Sequence, residues 1–352
     1  MGMKEKEIKK YLPTGWGKAS VREKTDYLCT RGACPAVKAK HQQPLKVDRD
    51  NMKVGALYSR KFSCQENPFH HDTQCYGMWV YSLRQTIRNF LEAHNLSLQK
   101  HLGQHFLVEE HVLEKIIKAA DLKSDDEVLE IGSGLGILTK ELLKHARHVT
   151  AIELDRGWVK LLPEYVGLDS GVHEPRLRLV HGDGLRAKLP STPHKVVANI
   201  PYQITAPLIE RLLLHPPVRA KSLTLLVQLE VAKKITDSTE MNRLQLLVKF
   251  FGKPRMVCRV SAGAFLPPPD VESAVIHIEC FDQLPADEET IQRALSLIKV
   301  AFHGKRKMLR STIGHLEGGK EMMEKAGIDT TRRPATLSIE EWLFLAGRER
   351  QK

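Results

Sequence analysis

No stretch of this chain is long and apolar enough to suggest a membrane span. The longest run without Lys, Arg, Asp or Glu covers only the 14 residues from Val196 to Ile209, and Asn199, Pro201, Gln203 and Pro207 interrupt it. Cysteines number six in 352 residues, too sparse for a disulfide scaffold, and aromatics make up only 6%. Acidic residues are the minority charge, with 54 Lys and Arg against 42 Asp and Glu for a net +12. That excess points to a polyanionic partner, nucleic acid first, and leaves the fold open. The rest is ordinary globular composition, 42% hydrophobic and 27% charged, and the length suits two packed units with tails. No period of roughly 20 to 50 residues marks a solenoid.

Positive charge concentrates at the start, where residues 1–77 carry 15 Lys and Arg against eight Asp and Glu. This segment lacks an apolar stripe at helical or alternating spacing, and Pro13, Gly15, Gly17, Gly32, Pro35, Pro44, Gly55 and Pro68 punctuate it. The composition predicts a poorly ordered basic extension. Its eight acids and only three serines do not suit an organellar transit peptide, and the apolar core of a secretory signal is missing. Cys29, Cys34, Cys64 and Cys75, with His70 and His71 between the last two, do not complete the paired spacing of a zinc knuckle. Free thiols and no metal are expected. Cys258 and Cys280 fall in apolar strand-like runs and are expected to fill core space.

From about Ser82 the pattern becomes regular. Leu83, Ile87, Phe90 and Leu91 share one helical face, and Val112, Ile116 and Ile117 mark a second helix. Strands are expected over Glu127 to Ile131, Val149 to Glu153, Leu177 to Val180, Val196 to Asn199 and Leu223 to Val227. Helices over Leu138 to His145, Trp158 to Leu162 and Ala206 to Leu214 separate them. This βαβ series predicts an α/β fold with a mainly parallel sheet, whose ligands sit beyond the carboxyl ends of the strands. After Asp282 amphipathic helices over Ile291 to Phe302, Met322 to Ala326 and Ser338 to Leu345 suggest a small C-terminal all-α domain. The expected divisions are 1–77, 78–282 and 283–352.

The first strand runs into Glu130-Ile131-Gly132-Ser133-Gly134-Leu135-Gly136. A dinucleotide fingerprint would need glycine at 137, where this chain has Ile, so NAD is disfavoured. Gly132 and Gly134 let the backbone approach a ligand closely. Glu153, ending the second strand, is placed to accept both hydroxyls of a ribose. Together they suggest S-adenosylmethionine, although the loop taken alone also fits a simple strand-to-helix turn. The fourth strand closes in Asn199-Ile200-Pro201-Tyr202. The amino group of adenine is a poor nucleophile because its lone pair is delocalised. Hydrogen bonds from that amine to the Asn199 side-chain oxygen and the Ile200 carbonyl, at an angle fixed by Pro201, would let the nitrogen become tetrahedral as it attacks. Tyr202 would stack on the base. A strand-ending turn with Tyr202 in the core explains the tetrapeptide in isolation. Asp183, between Gly182 and Gly184, would accept from a cofactor adenine amine or simply form a turn.

Eight segments in this order resemble the small-subunit ribosomal RNA adenine dimethyltransferases, the KsgA/Dim1 family. They are Lys100-x-x-Gly103-Gln104-His105-Phe106-Leu107, the glycine loop, Glu153, Asp183 and Asn199-Ile200-Pro201-Tyr202 together with Gln228-x-Glu230-Val231-Ala232, Phe265-x-Pro267-x-Pro269-x-Val271-x-Ser273 and Ala301-Phe302-x-x-Lys305-Arg306-Lys307. The resemblance runs from Met78 to the C-terminus. It implies a Rossmann-like class I methyltransferase domain followed by a helical RNA-binding domain. It also implies cofactor contacts from Gln104, His105, Leu107, Glu130, Gly132, Gly134, Glu153, Asp183 and Asn199. Phe265 would face Tyr202 across the target base, and Lys305, Arg306, Lys307 and Arg310, with Arg332 and Arg333 further on, would contact RNA phosphates. His105 stands where the family commonly has Asn, and Gln245 where it has Ser.

The implied activity is transfer of four methyl groups from S-adenosylmethionine, two to each of two adjacent adenosines in the 3′-terminal hairpin loop of small-subunit rRNA. The expected setting is an assembling subunit in the cytoplasm, with the enzyme a monomer and no membrane involved. Two other readings share parts of the pattern. Macrolide-resistance methyltransferases share the sheet and act on large-subunit rRNA, but lack the Arg333-Pro334-x-x-Leu337 ending. Binding factors derived from the family would not require Gly132, Gly134, Glu153 and Asn199 to be intact. Family members begin close to Met78, so residues 1–77 are either a mis-assigned upstream start, the favoured reading, or a basic tail that adds affinity for rRNA.

Overall fold

The computed structural model describes residues 82–96, 98, 104–168, 175–236, 241–304 and 306–347. The expectations for residues 1–77, Met78, Gly103 and Lys305 lie outside them. Helix α1 (Leu83–Ala93) starts where the Ser82 hydroxyl accepts the Gln85 N–H. Strand β1 (Phe106–Leu107) and helix α2 (Glu110–Ala120) lead into the alternating series. The series comprises β2 (Glu127–Ile131), α3 (Ile137–His145), β3 (His148–Glu153), α4 (Arg156–Val166), β4 (Leu177–His181), β5 (Lys195–Asn199), α5 (Thr205–Leu214) and β6 (Ser222–Gln228). Each expected strand is present to within a residue at either end. Helix α4 is longer than its apolar stripe suggests, because the Asp155 carboxylate caps its N-terminus at the Gly157 N–H.

Two helices, α6 (Leu229–Thr236) and α7 (Arg243–Phe251), precede β7 (Gly252–Val260), β8 (Phe265–Leu266) and β9 (Ser273–Cys280). Helices α8 (Glu288–His303), α9 (Gly319–Lys325) and α10 (Ile339–Leu345) complete the described chain. The main sheet has seven strands in the order β4-β3-β2-β5-β6-β9-β7. The first five are parallel; β9 then runs antiparallel to both β6 and β7. A second, two-stranded sheet pairs β1 with β8, setting Phe106 opposite Leu266 and Leu107 opposite Phe265.

Helix α2 packs on β5, β6, β7 and β9, burying Val112, Leu113, Ile116, Ala119 and Ala120. Helices α8 and α10 pack on α7. A continuous buried cluster runs from Leu129, Val196 and Leu225 in the sheet through Leu246 and Phe250 of α7 to Ile298 and Trp342. The C-terminal helices therefore bury their apolar faces against the same core as the sheet. Helix α10 opens with a capping box between Ser338 and Glu341. Among the described residues no helix is long and apolar enough to cross a membrane, and no cluster of His, Cys, Asp and Glu could hold a metal. Cys258 and Cys280 are free and half-buried, and burial pushes the Cys280 thiol up to about 12.

Candidate active site

Strand order reverses between β2 and β5, and the loops after their carboxyl ends diverge to leave a crevice. A cavity of about 440 Å³ occupies it. Its wall includes Gln104, His105, Leu107, Glu130, Gly132, Gly134, Glu153, Asp183, Asn199, Ile200, Pro201 and Tyr202, residues separated by nearly a hundred positions in the chain. Four strand ends converge there, those of β2, β3, β4 and β5.

The glycine loop after β2 turns with φ of +78° at Gly132 and +53° at Gly134, values that L side chains rarely adopt. Space is as restrictive as the backbone. A Cβ on Gly134 would lie 2.7 Å from Phe106 Cε1, and one on Gly132 would lie 3.2 Å from Pro201 Cδ. Glu153 locks the loop: one carboxylate oxygen accepts the Gly134 N–H at 2.7 Å and the other the Asp155 N–H at 2.8 Å. Burial nonetheless holds the Glu153 pKa above its ordinary value.

Glu130 sits below the loop, 1% exposed, accepting the Thr139 hydroxyl at 2.6 Å. Its pKa is pushed up from 4.5 to about 8, mainly by burial and further by the charge of Glu153. The folded protein therefore keeps a proton that the unfolded chain gives up near pH 4.5. The stability that this proton confers is complete below that pH and is lost as pH rises through about 8. Glu130→Gln should flatten the fall in melting temperature between about pH 4.5 and 8. An equally steep fall in both proteins would exclude Glu130 as its source.

Asn199 closes β5. Its Nδ2 donates to the His105 backbone carbonyl at 3.1 Å, leaving Oδ1 without a hydrogen bond from any described residue. The Ile200 carbonyl likewise accepts no backbone bond among the described residues. Tyr202 is anchored by its hydroxyl to Ser273 Oγ at 2.6 Å. Asp183 forms a turn, accepting the Leu185 N–H at 2.8 Å, while still lining the cavity.

Two residues do not stand where the sequence suggested. Phe265 is fully enclosed on β8 and does not line the cavity, so in this structure it does not face Tyr202. Pairing of β8 with β1 commits that side chain to packing. The ring that does face Tyr202 is His105, whose Nδ1 donates to the Pro267 carbonyl at 2.8 Å. Arg332 is committed to Glu341 and to the Thr336 carbonyl, tying its loop to α10, and is not a free phosphate ligand. Arg306, Lys307 and Arg310 are exposed.

Other contacts at the site were not singled out from the sequence. Arg211, on α5, donates to the carbonyls of Gly184 at 2.6 Å and Ala187, pinning the Asp183 loop. Asp155 accepts Gln104 Nε2 at 3.2 Å. Ser133 Oγ and Trp158 Nε1, both on residues that line the cavity, are buried without a partner among the described residues. Trp158 also meets Phe106 edge to face at 5.1 Å between centroids. An aromatic five residues after Glu153 was the available clue for Trp158.

Residues 95–348 match the family described as ribosomal RNA adenine dimethylase. Ribosomal RNA small subunit methyltransferase A of Dehalococcoides mccartyi is 38% identical over 279 residues, covering 74% of this chain and 91% of its own. The protein of the same name from Clostridium botulinum is 35% identical over 267 residues, covering 72% and 95%. Among solved structures, a dimethyladenosine transferase from Plasmodium falciparum is similar with a TM-score of 0.58 at 28% identity, covering 68% of this chain and 96% of its own. The 23S rRNA methyltransferase ErmE is similar with a TM-score of 0.56 at 29% identity, covering 68% and 98%.

Proposed function

The chain belongs to the ribosomal RNA adenine dimethylase family, and from that premise we propose that it dimethylates two adjacent adenosines in the 3′-terminal hairpin loop of small-subunit rRNA. It is an S-adenosylmethionine-dependent rRNA adenine N6-dimethyltransferase. The proposed substrate is the assembling small subunit in the cytoplasm, met by a monomer whose net charge of +12 suits rRNA. The observation that carries the target-base reading is Asn199, with Oδ1 unpartnered among the described residues, set beside Tyr202 and the glycine loop on one cavity wall.

The cavity suits the cofactor, since among the described residues the buried Ser133 hydroxyl and Trp158 indole N–H lack partners. When bound, S-adenosylmethionine supplies an electrophilic methyl group on a positively charged sulfur. The glycine loop, Glu153 and Asp183 would hold the cofactor, with Gln104, His105 and Leu107 closing its methionine and ribose side. Asn199 Oδ1 and the Ile200 carbonyl accept from the adenine amine, drawing its lone pair out of the ring and toward the methyl carbon. Pro201 fixes the angle between those acceptors, and Tyr202 supports the base face. The methylated amine is acidic enough to lose its proton to water, so no general base is required.

Small-subunit rRNA is favoured over large-subunit rRNA because the matched span continues through α8, α9 and α10, and the curated relatives at 35–39% identity carry small-subunit names. Domain limits of 78–282 and 283–352 fit a catalytic sheet followed by helices that present Arg306, Lys307 and Arg310 to RNA. Replacing Lys305, Arg306 and Lys307 by Ala should weaken RNA binding and reduce its salt slope by about 0.7–0.9 for each phosphate left without its cation. An unchanged slope would leave these residues as a solvated surface. Mapping dimethylated adenines in rRNA from cells lacking the gene tests the substrate itself: loss of both modifications in small-subunit rRNA is expected, and their persistence would overturn the assignment.

A further inference from the structure

We propose that Arg211, on α5, is a positioning residue that makes the cofactor site select for adenine. It acts through Asp183, so the inference rests on the preceding reading of Asp183 as a cofactor-holding residue that accepts from the adenine amine. The guanidinium donates to two carbonyls of one short loop, that of Gly184 at 2.6 Å and that of Ala187. Among the described residues no backbone N–H reaches either carbonyl. A planar fork of donors suits two acceptors at a fixed separation, whereas a lysine ammonium is a single point of charge.

The loop has little freedom on its other side. A Cβ on Gly184 would lie 2.5 Å from Cγ2 of Ile131, the last residue of β2. The Asp183 carbonyl closes the turn by accepting the Arg186 and Ala187 N–H groups at 2.9 and 2.7 Å. Of the carboxylate, Oδ1 accepts the Leu185 N–H at 2.8 Å, and Oδ2 has only a 3.7 Å ion pair with exposed Arg186 among the described residues. Oδ2 is therefore the oxygen left to take an N–H from a ligand. Burial holds the Arg211 pKa below its ordinary value and the charge of Asp183 opposes the shift, which places the two groups within electrostatic reach. Ile131 and Arg211 clamp the loop from two sides, and the clamp fixes where Oδ2 points.

Helix α5 starts at Thr205, just after Tyr202, and buries Leu208, Ile209, Leu212 and Leu213. Those apolar contacts hold the helix and the turn before it in place without Arg211, so Arg211→Ala should fold. An adenine amine donates to a carboxylate oxygen, whereas hypoxanthine presents a carbonyl there, acceptor against acceptor. Calorimetric Kd values for S-adenosylhomocysteine and S-inosylhomocysteine, which differ at that group, provide the test. The native chain should prefer the adenosyl ligand by about 10- to 150-fold, the scale of one hydrogen bond to a charged group. Arg211→Ala should reduce that preference to about 3-fold or less, chiefly by weakening the adenosyl ligand. It should also raise KM for S-adenosylmethionine while kcat at saturating cofactor stays near normal. Arg211→Lys, which keeps the charge and loses the fork, should fall between the two, and carries the same test should Arg211→Ala not fold.

Equal weakening of both ligands, with the preference intact, would overturn the proposal in favour of a general structural role. Unchanged affinities for both would remove Arg211 from cofactor recognition altogether. Asp183→Ala separates the two levels of the argument. If it abolishes the preference while Arg211→Ala retains it, only the role of Arg211 fails. If Asp183→Ala retains the preference, the adenine reading of Asp183 fails and this inference falls with it.

Discussion

Asn199→Ala is expected to reduce methyl transfer by about 10² to 10³ while leaving cofactor affinity nearly intact. This is the usual scale for losing one preorganised hydrogen-bonding group aimed at the transition state. Asn199 is preorganised because Nδ2 is committed to the His105 carbonyl at 3.1 Å, which fixes the side of the amide that Oδ1 occupies. An alanine removes the acceptor and the tether together, with little effect on the glycine loop, whose geometry is set by Glu153 and by positive φ at Gly132 and Gly134. Single-turnover transfer at saturating cofactor, paired with calorimetry, separates the two quantities. Near-normal turnover would remove Asn199 from the chemistry.

Glu153→Ala should show the opposite split, weakening cofactor binding by about 1.5–3 kcal/mol, or roughly 10- to 150-fold in Kd. The carboxylate performs two tasks. It holds the Gly134 and Asp155 N–H groups at 2.7 and 2.8 Å, and in the proposed complex it accepts the ribose hydroxyls. Glu153→Gln keeps a carbonyl acceptor for one of those N–H groups but loses the charge, so an intermediate loss is expected. At saturating cofactor both variants should transfer methyl groups at close to the normal rate. Unchanged affinity in Glu153→Ala would exclude the ribose assignment.

Much of the site was legible in sequence because its parts are local. Gly132 and Gly134 announce positive φ, Asn199-Ile200-Pro201-Tyr202 announces a strand end with a rigid turn, and Glu153 and Asp183 fall at the ends of apolar runs. The alternation of those runs with helical stripes implied parallel strands, and parallel strands bring their carboxyl ends to one edge. Residues far apart in the chain could thus be assigned to one cavity. The C-terminal helices were legible by the same periodicity, but their shared core with α7 was not, because periodicity shows that a face is buried and not against what.

The sequence by itself determined the α/β class, the limits of β2 through β6, the glycine turn and the residue types that face the cavity, all properties of short-range sterics and hydrophobic period. Only the tertiary structure decided the pairing of β1 with β8, which encloses Phe265 and turns His105 toward Tyr202. It also decided that Arg332 is tied to Glu341 and that Glu130 keeps its proton to about pH 8. These outcomes depend on the approach of distant segments and on the water excluded where they meet. Chain spacing does not encode either one, because desolvation and pairing are properties of the folded environment.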